Sequence, residues 1–180
     1  MEATVKSRYE DGLKAPLTWS PESGGTKAFV CFEDSKTYDL GADPTGERFE
    51  TISAKMLNGD YYPPDAVEFF GPFRDEQRPI SKGDRVQQRA PFGPLAFWSM
   101  VEITIAEKTS DTCQIGYVTT QKHHGRGIWT ATLTRIDNQL SIKVESIASP
   151  HSLLFWAGLP FARLLQLRAR RRAIEEFRKL

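Results

Sequence analysis

From Gly83 onward, apolar side chains recur mainly at every second position. That spacing belongs to strands with one face buried. Residues 84–89 read as a polar, exposed strand, and residues 95–106 as a long one with Phe97, Val101, Ile103 and Ile105 on one face. Residues 113–119 align Cys113, Ile115 and Tyr117, and residues 128–136 and 140–148 form a hairpin through Asp137-Asn138, a pair that tolerates positive φ. Strand follows strand through short turns, so an antiparallel meander is expected.

Upstream the period changes. Residues 20–26 (Ser-Pro-Glu-Ser-Gly-Gly-Thr) are rich in turn formers, so residues 1–26 are expected to be a loosely ordered segment. Residues 27–32 form the first strand candidate. Asp43-Pro44 offers a cap and a proline at the first helical position; Phe49, Ile52 and Met56 follow at helical spacing, and Asn58-Gly59 supplies a stop. Tyr61-Tyr62-Pro63-Pro64 leads into a short strand at residues 66–70.

After Ser149-Pro150 the pattern becomes that of one long helix. It opens with Leu153-Leu154-Phe155-Trp156, apolar all round, and Gly158-Leu159-Pro160 is expected to kink or restart it. Beyond, Ala162, Leu165, Ala169, Ala173, Phe177 and Leu180 share a stripe, with most of the arginines off it. The expected fold is α+β: a curved antiparallel sheet of about six or seven strands packed on a long C-terminal helix, in a single domain over residues 27–180. Ala169 and Ala173 either leave room beneath the helix or allow it to pack closely, and the pattern leaves both open.

Composition narrows the function classes. At 180 residues with a net charge of +1, the chain suits one domain and carries no global field for nucleic acid. Only residues 160–180 are locally basic, with seven basic against two acidic side chains. The run Arg168-Ala169-Arg170-Arg171-Arg172 lacks interleaved aromatic rings and is followed by Glu175-Glu176, so it reads as a solvated helix face rather than a nucleic-acid surface. Cys31 and Cys113 show no paired spacing, no apolar leader follows the start, and Gly158, Pro160 and Arg163 interrupt the most hydrophobic run, so a cytoplasmic protein without a transmembrane segment is expected.

Several motifs resemble the uncharacterised family known as domain of unknown function 1990, itself similar to START-like, or birch-pollen-allergen-like, helix-grip proteins. They are Gly83-Asp84-Arg85-Val86, Gly116-Tyr117, His124-Gly125, Ser149-Pro150 and, most specific, Gly158-Leu159-Pro160-Phe161-Ala162-Arg163-Leu164-Leu165-Gln166, with a weaker likeness at Tyr38-Asp39-Leu40-Gly41. Gly127-Ile128-Trp129 stands where the family usually has an acidic pair, and Ser149 meets Pro150 without the usual intervening arginine. The resemblance implies a helix-grip fold with a hydrophobic cavity and little about chemistry.

Trp98 and Met100 lie opposite Phe97 and Val101, so the start of the long strand is apolar on both faces. Together with Tyr117, Trp129 and Leu133 from the sheet and Leu165, Ala169 and Ala173 from the helix, they are candidates to line a cavity. Arg89, Glu102 or Arg135 would then fix a ligand's polar head. Arg163 and Gln166 are read as structural, pinning helix to sheet. Binding of a small hydrophobic or amphipathic molecule leads, without metal or cofactor. A cyclase- or hydratase-type enzyme acting in the same cavity through His124, Arg89 or Glu102, and an interaction protein using the basic helix, are the alternatives. His123, His124 and His151 have no metal-ligand spacing, and no nucleophile elbow, phosphate loop or dinucleotide fingerprint is present.

Overall fold

The computed structural model describes residues 3–19, 32–123, 125–150 and 153–180, except the side chains of residues 3–5, 150 and 153–162. The expected strand residues 27–31, His124 and His151, and the side chains of Leu153-Leu154-Phe155-Trp156 lie outside this description.

The elements in order are α1 (Ala3–Gly12), β1 (Phe32–Ala42), α2 (Glu47–Leu57), β2 (Glu68–Phe70), α3 (Pro72–Asp75), β3 (Arg85–Phe92), β4 (Leu95–Lys108), β5 (Thr112–Thr119), β6 (Gly125–Ile136), β7 (Gln139–Pro150) and α4 (Leu153–Lys179). All seven strands form one sheet, ordered β1-β7-β6-β5-β4-β3-β2, and every pairing is antiparallel. The meander therefore runs from β2 to β7, and β1 returns to the edge beside β7. Asp137 and Asn138 turn the β6–β7 hairpin with φ of 51° and 60°.

Alternation assigns one face of this sheet to α4. Val86, Val101, Ile103, Cys113, Ile115, Leu133, Leu140, Ile142 and Val144 share a core with Phe49, Ile52 and Met56 of α2 and Ala173, Ile174 and Phe177 of α4. Ile105 leaves the face proposed for it, because the register of β4 shifts between Ile103 and Ile105. That bulge sets Ile105 opposite Gly116, whose bare backbone lies close to the Ile105 side chain.

Three further expectations change. Asp43 is not the residue adjoining α2: the N-cap is Gly46, with φ 83°, and the buried Asp43 carboxylate reaches over it to accept from the backbone N–H of Gly46, Arg48 and Phe49. β3 is not exposed, since Val86, Gln87 and Gln88 are all buried. Of the kink or restart expected at Gly158-Leu159-Pro160, the restart does not occur, since α4 is continuous through Pro160.

The opening residues form α1 and pack on the other face of the sheet. The Arg8 guanidinium lies 5.5 Å from the Trp98 ring centroid, Gly12 sits directly over the Met100 side chain, and Arg85 donates to the Ala15 carbonyl at 2.8 Å. A Cβ added at position 12 would fall 2.3 Å from Met100 Cε, so the flexible Met100 side chain would have to shift to admit it. The double apolarity of β4 thus reflects two coverings, α4 on one face and α1 on the other.

Candidate functional site

The α4-facing side of the sheet has two unlike halves. Toward the C-terminal end of α4, around Leu40, Leu133, Ile142 and Phe177, it is filled and fully buried. Toward the N-terminal end of α4 the same face carries Ala90 and Ser99, then Tyr117, then Ser146, Ala148 and Asp34, all only half-buried. Ala90, Ser99, Ser146 and Ala148 replace branched residues there, and the large side chains on this half are the aromatic Phe97, Tyr117 and Trp129.

Aromatic rings floor this half. Tyr117 stacks on Trp129 at 5.1 Å and 18°, as their directly opposed positions on β5 and β6 permit. Tyr61 and Tyr62, placed by the Tyr-Tyr-Pro-Pro turn after α2, add edge contacts: Tyr61 to Trp129 at 5.0 Å and to Phe177 at 5.5 Å, Tyr62 to Tyr61 at 4.6 Å. Burial pushes the Tyr117 phenol up to about 12 and the Tyr61 and Tyr62 phenols well above their ordinary value. Tyr62 and Tyr117 nevertheless keep uncovered surface. Both rings are thus desolvated without being wholly covered.

A buried charged group stands at the edge of this aromatic floor. Arg170 is 5% exposed; its Nη2 donates to Asp34 Oδ2 of β1 at 2.7 Å, and the Tyr38 hydroxyl is its second partner. Arg163 Nη2 donates to the same Asp34 oxygen at 2.7 Å. Burial raises the Asp34 carboxyl, but the hydrogen bonds from Arg170 and Arg163 outweigh it and hold the group below its ordinary value. The charge of Arg170 acts on Tyr61, Tyr62 and Tyr117 alike, favouring ionisation less strongly than burial opposes it. Gln88, 7% exposed, bonds both Ser99 and the Tyr117 hydroxyl. The Tyr61 hydroxyl, in a residue 1% exposed, has no hydrogen-bond partner among the described residues.

The structure divides the sequence-derived candidates. Tyr117, Trp129, Leu133, Ala169 and Ala173 share the α4 side, with Leu133 and Ala173 inside the filled core and Ala169 buried but outside it; Leu165 is half-buried on α4. Arg89, Trp98, Met100 and Glu102 are on the opposite face, because Arg89 pairs with Trp98, Gln87 with Met100 and Arg85 with Glu102 across β3 and β4. Arg89 is held by Glu68, and Glu102 by Arg85 at 2.8 Å. None of these four can meet Trp129. Arg135 donates to the carbonyls of Asp43 and Pro44 and to Asn138, clamping the start of α2. Gln166 is exposed.

Asp34, Tyr38, Tyr61, Tyr62, Gln88 and Arg170 were missed. Arg170 in particular does not belong to a solvated basic face. Arg163, Arg170 and Phe177 are seven residues apart, and that spacing places all three on one helix side. Arg171 and Arg172 do point outward, to Glu175 and Asp65.

Two surface depressions lie elsewhere. One, about 640 Å³, is a polar dent at the start of α2 beside Arg135; its arginine is committed to backbone carbonyls. The other, about 450 Å³, is a groove between α1 and α3. Neither has a convergent set of buried polar groups. Among the described residues no three potential metal ligands cluster, and no helix is long and apolar enough to cross a membrane.

Residues 30–176 match the family model described as domain of unknown function (DUF1990), and the chain belongs to that family. No curated protein matches it. Similar solved structures include a hypothetical protein from Helicobacter pylori (TM-score 0.54, 12% identity, covering 88% of this chain and 93% of that one). A major latex-like protein from Panax ginseng has TM-score 0.51 at 8% identity, with coverage of 82% and 98%. A START superfamily protein from Mycobacterium smegmatis has TM-score 0.52 at 12% identity, with coverage of 80% and 97%. At such identities the likeness is one of fold: this is a START-like helix-grip architecture.

Proposed function

We propose that this DUF1990 chain binds a small amphipathic molecule in the half-open space between the sheet and the first half of α4. The observation that carries the reading is the division of one sheet face into a filled half and a half lined by Ala90, Ser99, Ser146 and Ala148 around the Tyr117–Trp129 stack. A ligand covering these rings would gain about 25 cal/mol for each Å² of apolar surface removed from water, its own as well as the protein's, before the costs of association are subtracted.

The reading is of a binding protein rather than an enzyme. Arg89 and Glu102, two of the groups considered for catalysis, are salt-bridged on the far side of the sheet. With Arg170 turned inward, the basic run offers less to an acidic partner. We assign the protein to the cytoplasm on its cysteine usage, Cys113 being a buried free thiol.

Fluorescence of the neutral probe N-phenyl-1-naphthylamine tests the site. Wild type should enhance it saturably, Ser146→Phe should abolish the enhancement by filling the gap, and Met100→Leu, on the opposite face, should leave it intact. Absence of enhancement, or its survival in Ser146→Phe, would overturn the reading.

A further inference from the structure

The polar end of the gap is richer in donors than in acceptors. Among the described residues Arg163 and Arg170 share one carboxylate, Asp34, so the cluster carries one positive charge in excess, divided between the third-exposed Arg163 and the almost wholly buried Arg170. The neutral hydroxyls of Tyr61, Tyr62 and Tyr117 add donors within the electrostatic reach of Arg170, against one buried amide, Gln88, already bonded to Ser99 and Tyr117. The Tyr61 hydroxyl has no partner among the described residues. A buried, unpaired hydroxyl within the electrostatic reach of a buried guanidinium is costly unless something accepts from it.

We propose that the ligand carries a single carboxylate, seated between Arg170 and the Tyr61 hydroxyl, with its apolar body over the Tyr117–Trp129 stack. This rests on the reading of the gap as a ligand site and adds the class of its occupant. A carboxylate matches the excess of one charge, accepts from guanidinium and phenol together, and fits the planar donor fork of arginine. A phosphate monoester would bring nearly twice the charge that the arginines leave uncompensated.

Displacement of bound N-phenyl-1-naphthylamine by dodecanoate, 1-dodecanol and dodecyl phosphate tests the assignment with the full-length chain. Dodecanoate should displace the probe at a concentration at least about tenfold below that of 1-dodecanol, one charge-assisted hydrogen bond being worth about that factor. Tyr61→Phe should weaken dodecanoate by about tenfold and 1-dodecanol by less than about twofold. It should melt no lower than wild type, since its hydroxyl has no bond to lose, which separates lost recognition from lost folding. Arg170→Gln should erase the preference for acid over alcohol. Equal displacement by acid and alcohol, with the probe bound, would overturn the carboxylate assignment and leave the ligand site standing. Tighter binding of dodecyl phosphate would overturn the monoanion. Failure of the probe itself to bind would overturn both.

Discussion

The buried ion cluster at Asp34 yields the sharpest prediction. Asp34→Ala removes the carboxylate that, among the described residues, serves both Arg163 and Arg170. Arg170 has a side chain 7% exposed and would be left charged and without its acid; breaking such a pair from one side costs about 3–5 kcal/mol, and the 20% exposure of Asp34 argues for the lower end. The Arg163 half, with a side chain 36% exposed, is screened and adds less than about 1 kcal/mol. The sum, about 3–4 kcal/mol, corresponds to a melting point lowered by about 10 °C for a chain of this length. Urea unfolding at neutral pH measures it, with Arg163→Ala as the control expected to lose less than about 1 kcal/mol. The double variant Asp34→Leu/Arg170→Met should recover most of the loss, because it removes both charges rather than stranding one. The pH dependence has a definite sign. The Asp34 carboxyl lies below its ordinary value of 3.8 in the folded chain, so its contribution is complete above that value and is lost as pH falls through the lower, native one. Wild type and Asp34→Ala should therefore differ by a constant amount at neutral pH and converge in acid. A loss below about 1 kcal/mol for Asp34→Ala would refute the reasoning, since it would mean that Arg170 is as solvated as a surface residue.

Two further outcomes are expected. Of the five tyrosines, Tyr9, Tyr61, Tyr62 and Tyr117 have phenols raised by burial, the last three most strongly. Tyrosinate absorbance should accordingly stop short of its full amplitude near pH 11 and complete only on alkaline unfolding; because raised phenols bind protons in the folded state, stability should begin to fall above about pH 10. Full, reversible ionisation of all five by pH 11 would contradict the burial of the aromatic floor. Gly127→Ala should destabilise by about 3 kcal/mol or more in thermal unfolding, because Gly127 has φ 150° and an added Cβ would lie 1.8 Å from the Ile147 carbonyl oxygen; a neutral effect would contradict the described path of β6 against β7.

What was legible in the sequence followed from periodicity and turn chemistry. The strands after Gly83, the Asp137-Asn138 hairpin and the Phe49-Ile52-Met56 face of α2 are local patterns, and the structure repeats them. The departures have non-local causes. A bulge cannot be read from alternation, so Ile105 was set on the wrong face; the burial of Gln87 and Gln88 depends on two coverings, one of them from residues 3–19, some seventy positions upstream. The site was half legible. Tyr117, Trp129 and Ala169 lie on the α4 side as periodicity predicts. Arg89, Trp98, Met100 and Glu102 were grouped with them although period two puts them on the other side of the same strands. Arg170 was hidden inside a basic run, and only its seven-residue spacing from Phe177 distinguishes it from its neighbours. Tyr61 and Tyr62 lie in a turn, where no periodicity indicates which way a ring faces.

The central claim is that the half-open interior under α4 holds a small molecule, and native mass spectrometry of the purified full-length chain tests it most directly. The account predicts a reproducible adduct, released on denaturation as an organic acid, present in wild type and absent from a folded Ala169→Phe variant, whose added ring enters the gap from α4. A bare chain mass in wild type, with no adduct formed on adding dodecanoate, or an adduct that persists unchanged in Ala169→Phe, would contradict it.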